Sequence, residues 1–441
     1  MSADPSESTA PVAADQDLVA RFTRLTALNI LANITVPLTG LVDAAMLGHL
    51  DDLRFFAGVA LGSLVFDYVF WTFGFLRMAT TGLVAQAIGR RDPRQVEAIL
   101  RRSLLLAGLA GGVILLCRGP LGQLAFGLLS GEAGTEAAGL DYYHARVWGA
   151  PAALANFVFL GYFLGREESR VALVMTVAGN FANVVLDYLF ILELDLAAEG
   201  AGLATMLSQY LMLAIALAYY RSRRTPLSWH SLRGENHEWR ALFGLQRDIM
   251  VRTLMLVSTF ALFTDFSARL GNEELAANAL LLRWVTLAAF FIDGAAFAIE
   301  SLAGVLRGAG LDDKLRWLLR LSIGVGAAFG AFFALAIVLL PETVLGLLTT
   351  HDEVISLGTE LRFWLLPVLV VGSAAYIFDG LFLGLTAGRV LRRAMTLSAL
   401  AGFLPLALLA LELGSLHLLW AALASFMIAR VLTLGLAWRR S

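Results

Sequence analysis

The chain has 441 residues, of which 59% are hydrophobic and only 15% are charged, and its formal net charge is −2. Apolar runs of membrane-spanning length recur from Phe22 to Leu436, and with a mean hydropathy of +0.74 they exclude an ordinary soluble domain. A membrane β-barrel is excluded as well, because its strands alternate in polarity over about ten residues. The single cysteine, Cys117, excludes an intramolecular disulfide and a cysteine-based metal site.

The first 20 residues are polar and mildly acidic. They lack the basic-then-apolar pattern of a signal peptide, and we expect residues 1–20 to be a disordered tail. The apolar runs that follow predict an all-α polytopic membrane protein with twelve spanning helices. The predicted helices are Arg21–His49, Phe55–Ile88, Arg94–Leu116, Asp141–Gly165, Val171–Leu192, Ala201–Tyr220, Ile249–Leu270, Ala276–Leu306, Leu315–Leu340, Glu360–Leu385, Val390–Leu411 and Leu416–Trp438.

Basic residues distinguish the two sides of the membrane. The loops after the even-numbered helices and both termini hold 25 Arg and Lys residues, whereas the opposite side holds at most 5, with Arg146 among them. By the positive-inside rule both termini are cytoplasmic. We therefore expect a multi-pass protein of the cell inner (plasma) membrane.

The chain also matches itself at a shift of about half its length. A shift of 220 positions lays Gly74 on Gly294. Parallel repeats are typical of transporters with a central cavity between two halves. We expect two pseudo-symmetric six-helix lobes over residues 21–220 and 249–438, joined by a cytoplasmic linker over residues 221–248.

Two lone acids lie in apolar helices of the first half. Helical geometry places Asn33 on the stripe of Asp43 in the first helix, and Asn180 and Asn183 on the face of Asp187 in the fifth. An ionised carboxylate at membrane depth costs about 2.5–3.5 kcal/mol, so such acids are rare and usually functional. A bound proton or cation removes this cost, and neutral amides can hydrogen-bond either form. These five residues are a candidate cation-coupling site; the alternative is structural aspartates bonded to neighbouring helices.

Pro37 lies between these groups in the first helix. It removes one backbone hydrogen bond and allows the helix to bend, as a hinge for coupling or as a static kink. At the shifts that align the halves, Asp43 falls on Phe263 and Asp187 on Leu406. The second half therefore repeats the scaffold without these acids.

The second half has its own membrane acids. Asp293 and Glu300 lie seven residues apart, on one face of the eighth helix, and Asp379 lies in the tenth. They could bind a cationic compound or a second ion in a central cavity, or they could pair with buried arginines that hold helices together. The candidate partners are Arg77, Arg283 and Arg430. The apolar candidates for the cavity wall are Trp71, Met78 and Met175.

No reactive constellation accompanies these acids. The six histidines show no ligand spacing, so no metal site and no cofactor are predicted. The sequence has no phosphate-binding glycine loop, so transport driven directly by ATP is not predicted. It also shows no pairing of a nucleophile with a base, so an intramembrane enzyme is not predicted.

An ordered set of motifs over six helices resembles the multidrug and toxic compound extrusion (MATE) transporters, in the branch of DNA-damage-inducible protein F-like members. The motifs begin with Pro37-Leu-Thr-Gly-Leu-Val-Asp43 and Leu47-Gly-His-Leu50, and continue with Gly74-Phe-Leu-Arg77-Met-Ala-Thr80-Thr-Gly82, Asn180-Phe-Ala-Asn183-Val-Val-Leu-Asp187, Gly200-Ala-Gly202-Leu-Ala-Thr205, Asp293-Gly-Ala-Ala-Phe-Ala-Ile-Glu300 and Asp379-Gly-Leu-Phe-Leu-Gly384. The sequence from Gly384 to Arg389 departs from the family pattern, and no role is carried over to that segment.

The resemblance implies two six-helix lobes around a V-shaped central cavity, and export of a substrate against inward flow of protons or sodium. It implies that Asp43 and Asp187 are the coupling pair, and that the first helix bends near Pro37. We accordingly expect a monomeric antiporter that exports organic, cationic and amphipathic small molecules in exchange for protons, with the lipid bilayer as its environment and no nucleic-acid partner. The alternatives are sodium-coupled export and a lipid-linked precursor flippase of the same superfamily.

Overall fold

The computed structural model describes residues 15–50, 52–128, 132–223 and 236–440. These residues form helices and no strands, and twelve of the helices are long and apolar enough to cross a membrane. Numbered span 1 to span 12 in chain order, they are Asp17–Gly48, Leu53–Gly89, Pro93–Leu116, Ala133–Gly165, Ser169–Glu193, Ala197–Ser222, Trp239–Leu270, Asn272–Gly308, Asp312–Leu339, Leu366–Gly384, Gly388–Leu413 and Leu416–Arg440. This confirms the all-α polytopic fold.

Several spans change their winding inside the membrane. Span 2 is divided at Gly74 into the helices Leu53–Phe73 and Phe75–Gly89. Span 4 consists of Ala133–Arg146 and Ala150–Gly165, which are joined by a short 3-10 turn just before Pro151. π-helical turns occupy Tyr188–Glu193 in span 5, Leu366–Val371 in span 10 and Ser398–Phe403 in span 11. Such turns free individual backbone carbonyls from the regular helical ladder.

Three short helices lie between the spans. They are Arg118–Leu128, Pro341–Gly346 and Asp352–Leu361. The last of them continues into span 10 through a 3-10 turn at Arg362–Trp364.

Spans 1–6 and spans 7–12 form two lobes, each with its own apolar core. Phe159 and Phe163 lie in the core of the first lobe, and Trp420 and Phe426 in that of the second. A third cluster joins the lobes, because the start of span 1 packs there with spans 8 and 10. Burial of these large side chains supplies the packing that holds the lobes together.

The lobes approach most closely near the ends of spans 2 and 8. A Cβ atom added to Gly82 would lie 2.2 Å from the carbonyl oxygen of Leu383, and one added to Gly308 would lie 2.2 Å from that of Gln86. The Gln86 amide also donates to the carbonyl of Gly384 at 3.0 Å. These contacts lie at the end of the helix bundle where span 1 begins and span 12 finishes, which is called the terminal face below. Small residues are what allow such close helix approach in a membrane.

Three helix boundaries differ from the sequence prediction. The helix of span 1 begins at Asp15, so residues 15–20 are helical and the predicted tail is wrong for them; Leu18 packs into the third cluster, and this burial stabilises the extra turn. The rest of the predicted tail lies outside the described residues. Span 4 begins at Ala133 rather than Asp141. The linker is described only at its ends, where helices finish at Ser222 and start at Asn236.

Candidate functional site

The two lone acids of the first half meet in the structure. Asp43 lies five residues before the end of span 1, and Asp187 is the last residue of the helix Ser169–Asp187 in span 5. Spans 1 and 5 pack against each other, and the two carboxyl groups face one another within hydrogen-bonding reach. The helices therefore bring together two groups that are 144 positions apart in the chain.

The carboxyl pair has no hydrogen-bond donor among the described residues. Asp187 is 1% exposed, and neither of its carboxyl oxygens has a partner, nor does the Oδ1 atom of Asp43. Two ionised carboxylates in contact carry a large electrostatic cost. A proton between them supplies the missing donor and removes one charge, and another small cation would also neutralise the pair. The two facing carboxyl groups are therefore a candidate site for a positive ion.

The predicted amides are divided between two locations. Asn183 is buried near Asp187, and its Nδ2 atom has no partner among the described residues. The Asn180 amide donates to the Thr35 hydroxyl at 2.8 Å and so connects span 5 to span 1. Asn33 instead donates to the Phe290 carbonyl in span 8 at 3.3 Å. Asn33 thus contacts the second lobe, away from the carboxyl pair.

Pro37 lies inside span 1, between Thr35 and the acid Asp43. The helix runs without interruption from Asp15 to Gly48. Pro37 has no N–H to donate to the carbonyl of Asn33, so one backbone hydrogen bond is missing at this point. The Thr39 hydroxyl bonds back to the Thr35 carbonyl at 3.0 Å one turn later. The local weakness exists, and hinge motion at Pro37 stays a prediction.

Arg146 is a site residue that the sequence analysis placed at the membrane surface. It ends the helix Ala133–Arg146 inside span 4, and it faces the acids of spans 1 and 2 closely enough for electrostatic attraction to Asp43 and Asp67. Its guanidinium carbon lies 4.5 Å from the ring centre of Phe66, and it donates a hydrogen bond to the Tyr142 hydroxyl. The sequence analysis counted Arg146 with the basic residues of the opposite side, although the predicted helix Asp141–Gly165 contained it.

A cavity of about 320 Å³ opens beside this group of charges. Five amide side chains and two guanidinium groups supply its polar wall, and no carboxylate is among the described lining residues. The polar lining residues of these two kinds are Asn29, Asn33, Asn156, Asn180, Gln209, Arg77 and Arg146. Val36, Phe70, Phe157, Leu160, Met206 and Phe297 contribute to its apolar part. The wall suits an amphipathic molecule with a polar group and an apolar body.

Two acids of the second half, Glu300 and Asp379, have arginine partners, unlike the lone acids of the first half. Asp379 accepts hydrogen bonds from Arg252 of span 7 and from Arg430 of span 12, the latter at 2.5 Å. Glu300 is fully buried and lies 3.3 Å from the Arg77 guanidinium of the first lobe. These pairs agree with the structural interpretation of Arg77 and Arg430. Glu300 and Asp379 do not line the described cavity, and a cavity role for them stays a prediction. Sequence counting had assigned Arg252 to the membrane surface.

The remaining cavity candidates fare differently. Met175 is fully buried in the core of the first lobe, and Met78 packs in the cluster that joins the lobes. Trp71 is 62% exposed but does not line the described cavity. Asp293 lies on span 8 without a described ion pair, close enough to Arg77 for electrostatic attraction. Met175 packs on a core face, which hydropathy cannot distinguish from a cavity face. The cavity roles of Trp71 and Met78 stay predictions.

Three comparisons place this geometry among known proteins. A sequence model of the MatE family matches residues 29–189 and, a second time, residues 249–408. The DNA damage-inducible protein F of Escherichia coli is 37% identical over 417 residues, which cover 93% of this chain and 90% of that protein. A MOP superfamily transporter from Pyrococcus furiosus has the same fold with a TM-score of 0.88 at 19% identity, covering 96% of each chain. A MATE transporter in the bent conformation also gives 0.88 at 19% identity, covering 96% of this chain and 95% of that one.

The fold and these matches define a multi-pass membrane transporter rather than an enzyme. The chain belongs to the MatE family of multidrug and toxin extrusion transporters. The two matches of one family model begin 220 positions apart, in agreement with the internal repeat seen in the sequence.

Proposed function

We propose that this protein is a secondary active antiporter that exports organic, cationic and amphipathic compounds in exchange for protons. It works as a monomer in the cell inner membrane, with both termini in the cytoplasm. The observation that carries the proposal is the pair of the half-buried Asp43 and the buried Asp187, two facing carboxyl groups without a hydrogen-bond donor among the described residues, in the lobe that also holds an amide-lined cavity.

Exchange follows from competition for the same negative charge. A proton and a positively charged compound each neutralise these acids, so the binding of one lowers the affinity for the other. An anionic compound would instead bind more tightly once the acids were protonated, which favours cotransport. The electrostatic sign of the site therefore supports a cationic cargo.

The pair needs one hydrogen-bond donor, which a proton supplies directly. Sodium needs several oxygen ligands, and transporters often supply them from broken helices. Span 1 is a continuous helix around Asp43, which offers no freed carbonyl there. The π-helical turn Tyr188–Glu193 beside Asp187 does free carbonyls, and it makes sodium-coupled export the second candidate.

A lipid-linked precursor flippase has less support. A diphosphate requires a wall with a net positive charge. Arg77 is paired with Glu300, and Arg146 is attracted to both Asp43 and Asp67, so neither guanidinium gives the cavity an uncompensated charge while the acids are ionised.

The experiment is export of ethidium by purified protein in proteoliposomes under one gradient at a time. A pH gradient in sodium-free buffer is expected to drive export, and a sodium gradient at uniform pH is expected to have no effect. Protein-free vesicles measure leakage of the dye. Export that is absent under the pH gradient and returns with the sodium gradient would overturn proton coupling; export under neither would overturn the antiporter.

A further inference from the structure

Arg146 occupies a cation site that is part of the protein itself. Its guanidinium carbon lies 4.5 Å from the ring centre of Phe66, 5.5 Å from that of Tyr142 and 5.9 Å from that of Phe70. Three aromatic rings around one cation form an arrangement that recognises organic cations in other settings. Here a side chain of the same chain fills it.

The position of this cation is fixed by its surroundings. The Tyr142 hydroxyl, which accepts from Arg146, also accepts from the Ser63 hydroxyl at 3.1 Å. A Cβ added to Gly62 would lie 2.6 Å from the Tyr142 ring, so span 2 holds that ring closely. The Nε atom of Arg146 is buried without a partner among the described residues, although the same side chain lines the cavity. A fixed charge with a spare donor next to a cavity affects whatever enters it.

Three acids surround the charge of Arg146: two are close to it, and the third faces one of those two. They are Asp43 on span 1, Asp67 on span 2 and Asp187 on span 5, which faces Asp43. Tyr142 is the titratable group that faces Arg146 on its own span. Span 6, which packs on the same helix, presents Thr205, Met206 and Gln209 to the cavity and no charged side chain among the described residues.

We infer that Arg146 is a specificity-determining residue whose fixed positive charge expels a cationic cargo once the acids beside it are protonated. The inference rests on the proposed antiport. While Asp67 is ionised and the pair Asp43–Asp187 holds a single proton, two negative charges outweigh the one positive charge, and a cation is attracted. Further protons remove the negative charges but cannot remove that of Arg146, because a guanidinium stays protonated. The centre then becomes positive and repels the cargo.

The test measures the affinity of purified protein for ethidium, a permanent cation, by fluorescence at pH 8 and pH 6. In the wild type we expect the affinity to fall about tenfold or more on acidification, because charges a few ångströms apart repel strongly in a partly buried site. In Arg146→Gln the affinity at pH 8 is expected to rise, and the fall on acidification is expected to shrink to about threefold or less. Arg146→Lys keeps the charge and is expected to restore most of the wild-type fall.

Arg118→Gln is the matched control. Arg118 also stacks on an aromatic ring of the first lobe, 4.3 Å from the centre of Trp148, but it does not line the cavity. Its affinity is expected to follow that of the wild type at both pH values. Tyr142→Phe is a second variant, since it removes the hydroxyl anchor and leaves the charge in place, and the fall on acidification is expected to persist.

The two proposals fail in different ways. A wild-type fall that persists unchanged in Arg146→Gln overturns the role of Arg146 alone, and so does a lysine variant that behaves like the glutamine variant. A wild-type affinity that is the same at both pH values, or no ethidium binding at all, overturns the proposed exchange together with it.

Discussion

Residues of one chemical type serve opposite purposes in the two lobes. Asp379 is held by Arg252 and Arg430 from two other spans, so its charge is balanced permanently by the fold. Asp43 and Asp187 face each other, and the described residues give the pair no hydrogen-bond donor, although Arg146 attracts Asp43 electrostatically. A buried charge that is fully paired stabilises an arrangement, whereas an unpaired one must take its partner from solution. The contrast supports the first-lobe pair as the proposed site of ion exchange.

We expect Asp43→Asn and Asp187→Asn each to abolish gradient-driven export of ethidium. An asparagine amide donates to the remaining carboxylate as a protonated acid does, but it cannot release a proton. The new hydrogen bond to a charged group is worth about 1.5–3 kcal/mol, so both variants should remain folded and be at least as thermally stable as the wild type. The measurements are transport in proteoliposomes and thermal unfolding of the purified protein.

Asp265→Asn is the control for these substitutions. Asp265 forms an exposed ion pair with Arg269, 2.9 Å away, and exposed pairs contribute little. Its transport should equal that of the wild type. Wild-type rates in either site variant would remove Asp43 or Asp187 from the coupling role.

At the scale of helices, the sequence predicted the number and type of elements better than their ends. The apolar runs predicted the twelve spans, because a helix needs about twenty apolar residues to cross the lipid bilayer. They missed the first turns of span 4, where Gly134, Thr135 and Glu136 lower the hydropathy. Those turns are held by packing on span 2, since a Cβ on Gly58 would lie 2.7 Å from Ala138. The predicted start put Arg146 five residues into span 4, whereas 13 helical residues precede it in the structure.

The partners of the membrane acids were equally hidden from the sequence. The lone acids and the amides of spans 1 and 5 can be recognised in the sequence, because they are polar residues at helical spacing within apolar segments. Which arginine reaches which acid depends on helix packing between distant segments, as the contact of Arg252 with Asp379 across 127 positions shows. Helical periodicity carries no information at that range.

Span 1 is the element whose shape bears on coupling. Pro37→Ala restores the N–H that the Asn33 carbonyl lacks and removes an interior proline, which costs a helix about 3 kcal/mol. We expect a stiffer helix that slows turnover by about fivefold, equivalent to roughly 1 kcal/mol of barrier, while ethidium affinity changes less. Transport rates and binding to the purified protein measure the two effects separately.

Pro341→Ala is the matched control, because a proline in the first turn of a helix removes no helical hydrogen bond. If Pro37→Ala weakens binding while turnover is unchanged, Pro37 belongs to the cargo site and the hinge is wrong.

At the scale of the whole molecule, the two lobes share a scaffold but differ in chemistry. One family model matches both halves, yet the second half has Phe263 and Leu406 at the positions that correspond to Asp43 and Asp187. The lobes meet at the terminal face through packed glycines and through one buried ion pair, Arg77 with Glu300. The Arg77 guanidinium also stacks on Phe297 of the second lobe, 4.1 Å from the ring centre. Alternating access requires that these contacts separate.

We expect the ion pair Arg77–Glu300 to favour closure of the terminal face. Removing one partner would leave a buried charge uncompensated and destabilise the fold by about 3–5 kcal/mol, so the informative variant is the double substitution Arg77→Met with Glu300→Gln. A loss of about 1.4 kcal/mol from the closed state raises the open population about tenfold.

The readout is Leu383→Cys, a 5% exposed position at the lobe contact, labelled from the terminal face by a membrane-impermeant maleimide. The exposed native Cys117 is first replaced by Ser. In this background the double variant should label about tenfold faster than the parent. The control is the double substitution Asp265→Asn with Arg269→Met, which removes an exposed pair at the other end of span 7 and should leave the labelling rate unchanged. If the Arg77–Glu300 variant labels as slowly as the parent, glycine packing alone holds the face closed.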